Sequence, residues 1–411
     1  MTTTSEAAPL PTLSKNQFVA LMAMLMSINA ISIDIMLPGL QEIGSSLGVT
    51  DENTRQLVIS TYMIGMGFAQ LIFGPLSDRF GRRTPLLAGL ALYCACALAI
   101  VFVPSFGMML ALRFMQGVGA SASRVITVSI VRDVYGGRMM AEIMSLVMMV
   151  FMVIPVIAPS IGQLIMLFGE WHLIFVFIFL FGLLVASLFF LHVPETLDPE
   201  NRRPFTLRSI GTAFAIVLGN RVSFLYALAI AFIFGGLFGF INSAQQLLVG
   251  VYGLGVYFPL TFAGFAGLMA VSSFTNSRLV QRFGMRRLSH AALIGFCLVS
   301  AAWALFSFLG YVPFWLFAVF YALAMFQFGL IGPNFNAMAM EPLGHVAGTA
   351  SSVLGFTQTV IGGVLGALIG QAFDGTGTPL AFSFLIVGLA GLVMVLIAER
   401  GKLMQPHQNK A

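Results

Sequence analysis

A short polar sequence separates two long apolar stretches in the first quarter of the chain: Gly74-Pro75-Leu76-Ser77-Asp78-Arg79-Phe80-Gly81-Arg82-Arg83. A second sequence of the same kind lies in the other half: Arg278-Leu279-Val280-Gln281-Arg282-Phe283-Gly284-Met285-Arg286-Arg287. Aligning Gly81 with Gly284 gives an offset of 203 residues, close to half of the 411-residue chain. This offset predicts an internal duplication in which each half carries one copy of the same unit.

Apolar residues dominate the sequence on both sides of these two polar segments. Of all residues, 59% are hydrophobic and only 9% are charged, against about 45 to 50% and about 25% in soluble domains. The composition excludes an ordinary soluble enzyme and, in spite of a net charge of +5, a nucleic-acid-binding protein. It indicates a polytopic membrane protein.

The apolar residues fall into stretches long enough to cross a bilayer, which takes ~20 residues of helix for ~30 Å of hydrocarbon. Twelve such stretches occur, at approximately 16–40, 54–76, 84–103, 106–129, 140–167, 171–193, 221–247, 257–278, 288–309, 313–338, 347–371 and 380–399. Because lipid tolerates no unsatisfied backbone groups, all should be helices. The predicted fold is an all-α membrane protein of twelve transmembrane helices in two six-helix bundles.

The positions of Lys and Arg predict the orientation of these helices. With a cytoplasmic N-terminus, seventeen of the 20 basic residues lie on the cytoplasmic side, Arg55 lies outside, and Arg113 and Arg124 lie within the fourth span. Cytoplasmic loops carry an excess of such residues, so both termini are predicted to be cytoplasmic. The first fifteen residues show no signal-peptide pattern, and we expect the first span to be retained in the mature protein.

The predicted domain organisation follows from the duplication. It comprises an N-terminal cytoplasmic tail (1–15), an N-terminal six-helix bundle (16–193), a cytoplasmic central loop (194–220), a C-terminal six-helix bundle (221–399) and a C-terminal cytoplasmic tail (400–411). An Arg-containing part of the central loop is predicted to form an amphipathic helix on the inner membrane surface. Two six-span halves joined by a polar loop are typical of transporters whose bundles move about a midplane site.

Five stretches of the sequence resemble the major facilitator superfamily, and within it the drug:proton antiporters with twelve spans. Residues 74–83 are similar to the family's cytoplasmic loop signature, and residues 110–119, Leu-Ala-Leu-Arg-Phe-Met-Gln-Gly-Val-Gly, to its fourth-helix motif. Residues 32–38, 132–135 and 347–352 resemble the Bcr/CflA multidrug resistance subfamily. The resemblance covers almost the whole chain and implies the superfamily's fold and proton-driven drug efflux.

The fifth span departs from the family pattern. Proton antiporters of this superfamily carry Gly-Pro-x-x-Gly-Gly there, whereas this chain has Ala158-Pro159-Ser160-Ile161-Gly162-Gln163. Each proline removes one helix hydrogen bond, and Pro155 and Pro159 lie one turn apart. We therefore expect a helix-5 kink at Pro155, Pro159 and Gly162, and the two departures weaken the antiporter prediction without removing it.

Asp34 and Arg113 are the predicted proton-coupling residues. Asp34 is the only carboxylate within the first span as predicted, and the apolar residues that follow it favour a position inside the bundle over one in outside solvent. Desolvation favours the neutral form of a carboxyl, as a reversible proton carrier requires. Arg113 lies at a similar depth and stays charged, so it is predicted either to interact with Asp34 or to pin the fourth helix to backbone carbonyls.

The resemblance also implies a cytoplasmic gate around the first polar segment. Its residues are Gly74, Asp78, Arg79, Gly81, Arg82, Arg83 and Asp133. In the family, Asp78 would cap a helix of the second half, while the arginines would pair with acidic groups such as Asp133.

The substrate cavity is expected to be lined by amides together with Phe and Met. The amides assigned to this cavity are Gln116, Asn242, Gln245, Gln327, Asn334 and Gln358. Amides in spans also commonly hold helices together, so either role is open at each position. A cavity with one acid, few amides and many flexible or aromatic side chains suits lipophilic cargo.

The sequence therefore predicts a proton-driven exporter of drugs or other small lipophilic compounds in the cell inner membrane, acting as a monomer. An exporter or importer of a metabolite such as an amino acid, peptide or sulfur compound is the alternative, and a membrane sensor is a further one. No enzyme is predicted, since His-Glu-x-x-His and Gly-x-Ser-x-Gly motifs are absent, and no ATP-binding loop occurs. Apart from protons, membrane lipid and a small-molecule substrate, no partner, cofactor or metal is expected.

Overall fold

The computed structural model describes residues 13–135, 137–202 and 207–405. Within these ranges it contains twelve helices that are long and apolar enough to cross a membrane, and no β-strand. The predicted all-α class and the number of spans are confirmed. The chain is a multi-pass membrane protein.

The twelve helices are numbered here in chain order. The first six are α1 (Lys15–Asp34), α2 (Leu57–Phe80), α3 (Arg83–Ile100), α4 (Phe106–Val134), α5 (Gly137–Met166) and α6 (His172–His192). The second six are α7 (Arg221–Gln245), α8 (Phe258–Phe283), α9 (Met285–Leu309), α10 (Phe314–Met340), α11 (Ala347–Gln371) and α12 (Thr378–Ala398).

Two helix boundaries differ from the sequence prediction. The predicted first span runs to residue 40, but α1 ends at Asp34 and is followed by a 3-10 turn, Leu37–Gly39, and a short helix, Leu40–Ser46. Pro38 has no N–H to continue an α-helix and disfavours helical geometry in the residue before it, which explains the break. In contrast, α2 continues through Pro75 to Phe80, so most of the first polar segment is helical.

The central segment contains a helix, Leu207–Gly219, at the place where the sequence predicts an amphipathic one. A 3-10 turn, Pro199–Asn201, precedes it, and residues 203–206 lie outside the described ranges. The predicted helix is confirmed, and its location on the inner membrane surface stays a prediction.

The chain forms two compact units. The first contains the described residues up to Thr50 together with Thr61–Ile210, and the second contains Asp51–Ser60 together with the residues from Gly211 onward. The predicted bundles divide the chain at the central loop and assign residues 51–60 to the first bundle. In the structure this segment clusters with the second unit.

Small residues bring the helices of the first unit close together. A side chain on Gly117 of α4 would overlap the Tyr62 carbonyl oxygen of α2, and one on Gly119 would approach the Gly89 carbonyl oxygen of α3 to 2.5 Å. Helices in a membrane associate by such close packing, because lipid is as apolar as their side chains. Because Gly117 and Gly119 hold α4 close to α2 and α3, the position of Arg113 on the same helix is also fixed.

Aromatic side chains form the core of the second unit. The Tyr321 ring of α10 lies 4.1 Å from the Phe240 ring of α7 and 4.6 Å from the Phe265 ring of α8, measured between centroids. Trp303 of α9 packs against Phe384 of α12 at 5.3 Å. Tyr321 also packs against Phe384 at 5.9 Å. Together these contacts join five of the six helices of this unit through ring faces and edges, which are favourable geometries for aromatic pairs.

The repeat predicted from the two polar segments has a structural counterpart. Gly81 and Gly284 both adopt left-handed backbone conformations, with φ of 88° and 78°. Each lies between the second and third helices of its half, where the chain reverses direction within one to two residues. Glycine takes this conformation at little cost, which explains why both halves have it there.

Candidate functional site

The candidate site lies in the first unit, where α1 ends. Asp34 is the last residue of α1 and only 5% of its surface is exposed. Within the described part of the chain, its carboxyl forms no hydrogen bond and no ion pair. The C-terminal end of a helix carries the negative end of the helix dipole, which disfavours a negative charge at this position. A buried carboxyl in this setting is far more easily accommodated with a proton than without one.

Arg113 lies fully buried beside the same helix end. Its guanidinium donates to the Ser32 carbonyl oxygen of α1 at 3.0 Å and to Gln116 Oε1 at 2.8 Å. It also lies over the Tyr62 ring, 4.4 Å from the centroid. Arg113 forms no ion pair with Asp34. Its hydrogen bond to the Ser32 carbonyl oxygen corresponds to the predicted alternative, in which Arg113 holds α4 to the backbone of another helix.

A hydrogen-bonded network begins at Tyr62, whose ring lies under the Arg113 guanidinium. The Tyr62 hydroxyl donates to Asn29 Oδ1 at 3.3 Å, and Asn29 Nδ2 donates to Ser123 Oγ at 3.1 Å. Both Tyr62 and Asn29 are buried. Helices α1, α2 and α4 are thereby connected through polar side chains, although sequence reasoning had singled out only Arg113 and Gln116 among them.

Gly162 of α5 makes a close approach to the residue that follows Asp34. A side chain on Gly162 would overlap the Ile35 carbonyl oxygen, so only glycine lets α5 pack here. Pro155 and Pro159 both lie inside the same continuous helix. The three residues predicted for the helix-5 motif therefore share an element that packs directly on the helix end carrying Asp34.

The predicted cytoplasmic gate contains an ion-pair cluster centred on Arg82. Arg82 is 3% exposed; it donates from Nε to Asp133 Oδ2 at 2.7 Å and from Nη1 to Asp78 Oδ1 at 2.5 Å and to Ser77 Oγ at 2.9 Å. Burial lowers the pKa of the Arg82 guanidinium, but the hydrogen bonds to Asp133 and Asp78 outweigh burial and raise the pKa above its ordinary value. The expected pairing with Asp133 is confirmed.

The other predicted gate residues lie around this cluster. The Gly74 carbonyl accepts from Ser77 Oγ at 2.8 Å, Arg79 lies over the Phe80 ring, and Arg83 donates to the Phe190 carbonyl oxygen at 2.7 Å. The role of Asp78 as a cap for a helix of the second half stays a prediction.

Glu195, which sequence reasoning missed, completes the cluster. Its Oε1 accepts from the backbone N–H of Arg82 at 2.7 Å, and its Oε2 accepts from that of Arg83 at 3.1 Å. These N–H groups begin α3, and a carboxylate there satisfies donors that have no partner within the helix. Gly81 packs directly against this carboxylate, so a side chain at Gly81 would displace it.

The second unit has an equivalent carboxylate, Glu399, at the end of its last helix. Arg286 donates from Nε to Glu399 at 3.1 Å and from Nη2 to Glu341 at 3.2 Å. The Tyr226 hydroxyl donates to Glu399 at 2.7 Å and lies 2.7 Å from His290 Nε2. Glu195 and Glu399 are 204 residues apart, close to the repeat offset of 203. A comparison of the two halves of the sequence at this offset could therefore have identified both carboxylates.

Most of the amides predicted for the substrate cavity are bound to other protein groups. Four are buried and hydrogen-bonded to other side chains: Gln116 accepts from Arg113, Asn242 accepts from Ser60, Asn334 donates to Asn276, and Gln358 donates to Asn336. Gln327 packs against Gly295 of α9, and Gln245 ends α7. The bonds of Asn242, Asn334 and Gln358 join different helical segments, whereas that of Gln116 lies within α4. The cavity role of the six amides stays a prediction.

The cysteines and possible metal ligands add no further site. Cys94, Cys96 and Cys297 are buried and unpaired by disulfides. Over the ranges that the structure describes, no group of three or more His, Cys, Asp or Glu side chains is arranged to hold a metal ion.

Comparisons with known proteins are consistent with this geometry. The family model described as Major Facilitator Superfamily matches residues 19–367. The chain is 33% identical over 367 residues to a "Bicyclomycin resistance protein homolog" of Haemophilus influenzae, covering 89% of this chain and 92% of the relative. It is 31% identical to a "Chloramphenicol resistance protein" of Pseudomonas aeruginosa, covering 83% and 80%. A solved bacterial homolog of the human lysosomal transporter Spinster shares the fold, with a TM-score of 0.69 at 16% identity, covering 94% of this chain and 95% of that one.

Proposed function

We propose that this chain, which belongs to the major facilitator superfamily, is a proton-driven exporter of drugs or other small lipophilic compounds in the bacterial inner membrane. The chain is a membrane transporter and not an enzyme. In the proposed orientation both termini are cytoplasmic, a monomer is the working unit, and the proton gradient is the only source of energy.

The observation that carries the proposal is the buried carboxyl of Asp34 at the end of α1, which has no hydrogen-bond or ion-pair partner among the residues that the structure describes. An unpaired charge inside a membrane bundle is costly, so a carboxyl held there is expected to bind and release a proton during function. A carboxyl needed only for folding would be expected to have a partner in this low-dielectric interior.

Arg113 supplies a means for the protonation state of Asp34 to act on the helices. The guanidinium holds the Ser32 carbonyl, two residues before Asp34, and so connects α1 to α4. Loss of the proton leaves a negative charge two residues after the carbonyl that this fixed cation holds, and attraction between the charges favours a closer approach at the expense of the bond to Ser32. Protonation from outside restores the bond. Two arrangements of α1 and α4 that differ in protonation are what alternating access requires.

The gradient supplies enough free energy for uphill export. Each proton that enters releases ~2.3 kcal/mol per 100 mV of membrane potential and about 1.4 kcal/mol per pH unit. A substrate gradient of tenfold costs about 1.4 kcal/mol. A single proton per cycle can therefore maintain a substantial gradient of a neutral compound.

The proposed substrate class rests on the relatives and on the character of the helix interiors. The names of two relatives refer to resistance to bicyclomycin and to chloramphenicol. In the second unit, the described interior is built from aromatic rings and from amides that are bonded to one another. Apolar and aromatic surfaces bind varied lipophilic shapes without demanding fixed charges.

The proposal is tested with purified protein in proteoliposomes, with chloramphenicol and bicyclomycin as the probes. Imposing a proton gradient should drive uphill movement of at least one of them in the opposite direction to protons. Asp34→Asn should abolish this uphill movement while substrate exchange without a gradient continues. The matched control is Asp198→Asn, at an exposed carboxylate of the central segment, which should transport normally.

The result also separates the alternatives. Undiminished uphill transport by Asp34→Asn would exclude Asp34 as the coupling group. Transport of amino acids or peptides without any drug flux would favour a metabolite carrier, and no flux of any probe would favour a sensor.

A further inference from the structure

Arg124 is a second arginine within the fourth span, and it takes no part in the coupling or gate groups. It lies ten residues before the end of α4 at Val134, about 15 Å along the helix axis. Its side chain is half-buried, and among the residues that the structure describes it forms no hydrogen bond, ion pair or contact with an aromatic ring. A guanidinium keeps its charge in a protein, so this position holds a cation that lacks a partner in the described chain.

The direction of α4 disfavours contact between Arg124 and the lipid headgroups. Long basic side chains near the end of a span usually reach toward the nearer membrane surface. In an α-helix, however, side chains lean toward the N-terminal end. In the proposed orientation α4 begins at the outer face, so Arg124 in its inner half leans toward the middle of the membrane. A charge held there is costly and commonly marks a functional site.

The acidic residues of the first unit do not neutralise Arg124. Asp34 lies at the end of α1 that Arg113 binds, and Arg124 is eleven residues, about 16 Å, farther along α4. The other described acidic residues between positions 15 and 195 of this unit bind different groups: Glu42 binds the Trp171 backbone N–H, Asp78 and Asp133 bind Arg82, Glu142 binds Lys15, Glu170 binds His172, and Glu195 binds the backbone of Arg82 and Arg83.

Two further hydrogen-bond donors on the same face of α4 lack an acceptor. At 3.6 residues per turn, Arg124 lies on the same side of the helix as Arg113, and Gln116 and Thr127 lie within about 80° of it. Gln116 Nε2 and Thr127 Oγ1 are buried, and neither has a hydrogen-bond partner in the described structure. Because buried polar groups nearly always have partners, a row of open donors beside a cation indicates a ligand that supplies acceptor atoms and negative charge.

We propose that Arg124 binds the acidic group of the exported compound, so that lipophilic organic acids belong to the substrates of this protein. Thr127, one turn away, is a second donor to the same group, and Gln116, two turns away, binds a polar group elsewhere on the compound. A carboxylate or sulfonate matches a guanidinium both in sign and in geometry. The inference rests on the proposed function, because it specifies which compounds the exporter takes.

The charge of such a substrate changes how the membrane potential acts on export. Moving an anion out of the cell transfers the same charge as moving a cation in, so the potential drives this step directly as well as through the entering protons. For a neutral compound the potential acts through the protons alone. Export of an acid should therefore depend more steeply on the membrane potential than export of its neutral ester.

The subsite is tested by equilibrium binding to the purified protein in detergent, near neutral pH and without any gradient. The probes are 1-naphthoate and chloramphenicol succinate, each compared with its methyl ester, which has the same scaffold but no charge. The parent protein should bind at least one of the acids about tenfold more tightly than its ester, because hydrogen bonds to charged groups are the stronger ones. Equal affinities for acid and ester, or no binding of either acid, would overturn the proposal.

Substitution of Arg124 shows whether its charge causes the preference. Arg124→Gln should weaken binding of the acid about ten- to hundredfold and leave binding of the ester within about twofold. Arg124→Lys keeps the charge without the planar fork and should recover part of the affinity. The matched control is Arg132→Gln, at an exposed cation in the last turn of the same helix, which should bind both probes normally. An equal loss for acid and ester in Arg124→Gln would contradict a role for the charge.

The stability of the ligand-free protein separates a ligand contact from a structural one. Removing a charge that has no partner should leave the unfolding temperature of Arg124→Gln unchanged or raise it. A decrease of several degrees relative to Arg132→Gln would show that Arg124 holds helices together, and the proposal would then be wrong.

Lipid is the other source of acidic groups around a membrane protein, and competition distinguishes it from the substrate. Phosphatidylglycerol added to the detergent should not displace the bound acid, and phosphatidylcholine serves as the control for a change in the micelle. Displacement by phosphatidylglycerol alone would assign Arg124 to a lipid phosphate and refute the assignment to the substrate.

The binding measurements need no proton gradient and no transport. A protein that binds acids through Arg124 and exports no compound keeps the subsite and refutes the proposed function. A protein that exports chloramphenicol uphill but does not distinguish acids from esters keeps the proposed function and refutes the subsite.

Discussion

Replacing Gly162 by alanine tests whether the packing of α5 positions the Asp34 carboxyl. The new methyl group would overlap the Ile35 carbonyl oxygen and would also approach the Ile35 side chain. Overpacking of this kind costs ~1 to 3 kcal/mol, and the helix-propensity gain of Gly→Ala offsets roughly 1 kcal/mol of it. The net loss of stability should be modest, about 0 to 2 kcal/mol, because the chain can move the end of α1 away from α5.

The displacement itself is expected to have the larger effect. Asp34 directly precedes Ile35, and Ser32, whose carbonyl binds Arg113, lies three residues before it. Misplacement of a functional group by about 1 Å can cost on the order of a hundredfold in rate. We therefore expect proton-coupled efflux to fall about ten- to a hundredfold, while the melting temperature in detergent falls by only a few degrees.

The assay is uphill drug transport in proteoliposomes, together with thermal unfolding of the same preparation. Gly107→Ala is the control, because this glycine in the first turn of α4 has nothing within 4 Å of an added methyl group. Full transport by Gly162→Ala would show that the contact with Ile35 does not set the position of Asp34. An equal loss in the control would show that any glycine replacement harms the protein.

Three further predictions concern the charged groups of the first unit. Arg113→Lys removes the forked geometry that reaches both Ser32 and Gln116, and uphill transport should fall at least about tenfold; full activity would contradict the need for a guanidinium. Asp133→Asn should lower the unfolding temperature more than Asp78→Asn does, since the Asp133 side chain is 14% exposed and that of Asp78 is 35% exposed; the reverse order in a thermal scan would refute this. Glu195→Gln should destabilise the protein by about 0.3 to 1 kcal/mol through loss of the charge at the start of α3, and unchanged chemical denaturation would show that the charge is unimportant.

The number of helices and the duplication were readable from the sequence because both depend on local composition. Span length follows from membrane thickness, and a turn that requires glycine recurs at Gly81 and Gly284 at a fixed offset. The pairing of Arg82 with Asp133 was also predictable, through the resemblance to a family. Each of these features is expressed within a short segment or repeated within the chain.

Other features depend on contacts between distant segments and leave little trace in the sequence. Neither hydropathy nor spacing indicates that Asn53 binds the end of α11, or that Arg113 binds a backbone carbonyl instead of a carboxylate. The end of α1 at Asp34 was obscured by the apolar residues that continue the span beyond it. The sequence left open whether each amide holds helices together or contacts a substrate, and only the structure shows which protein groups the amides bind.

The chemistry of the candidate site is distributed unequally between the two units, although both derive from one repeat. The two units share a carboxylate at the end of the last helix, Glu195 in one and Glu399 in the other, which binds the start of the third helix. Among the described residues, the first unit has a buried acid, Asp34, and a fully buried arginine, Arg113, at the end of α1. The described interior of the second unit contains aromatic rings and amides that pair with each other, as Asn334 does. An unpaired acid is costly in a membrane, and a second one would have to be neutralised in each cycle as well. In the proposed mechanism a single titrating centre in the first unit is therefore sufficient to couple proton movement to transport.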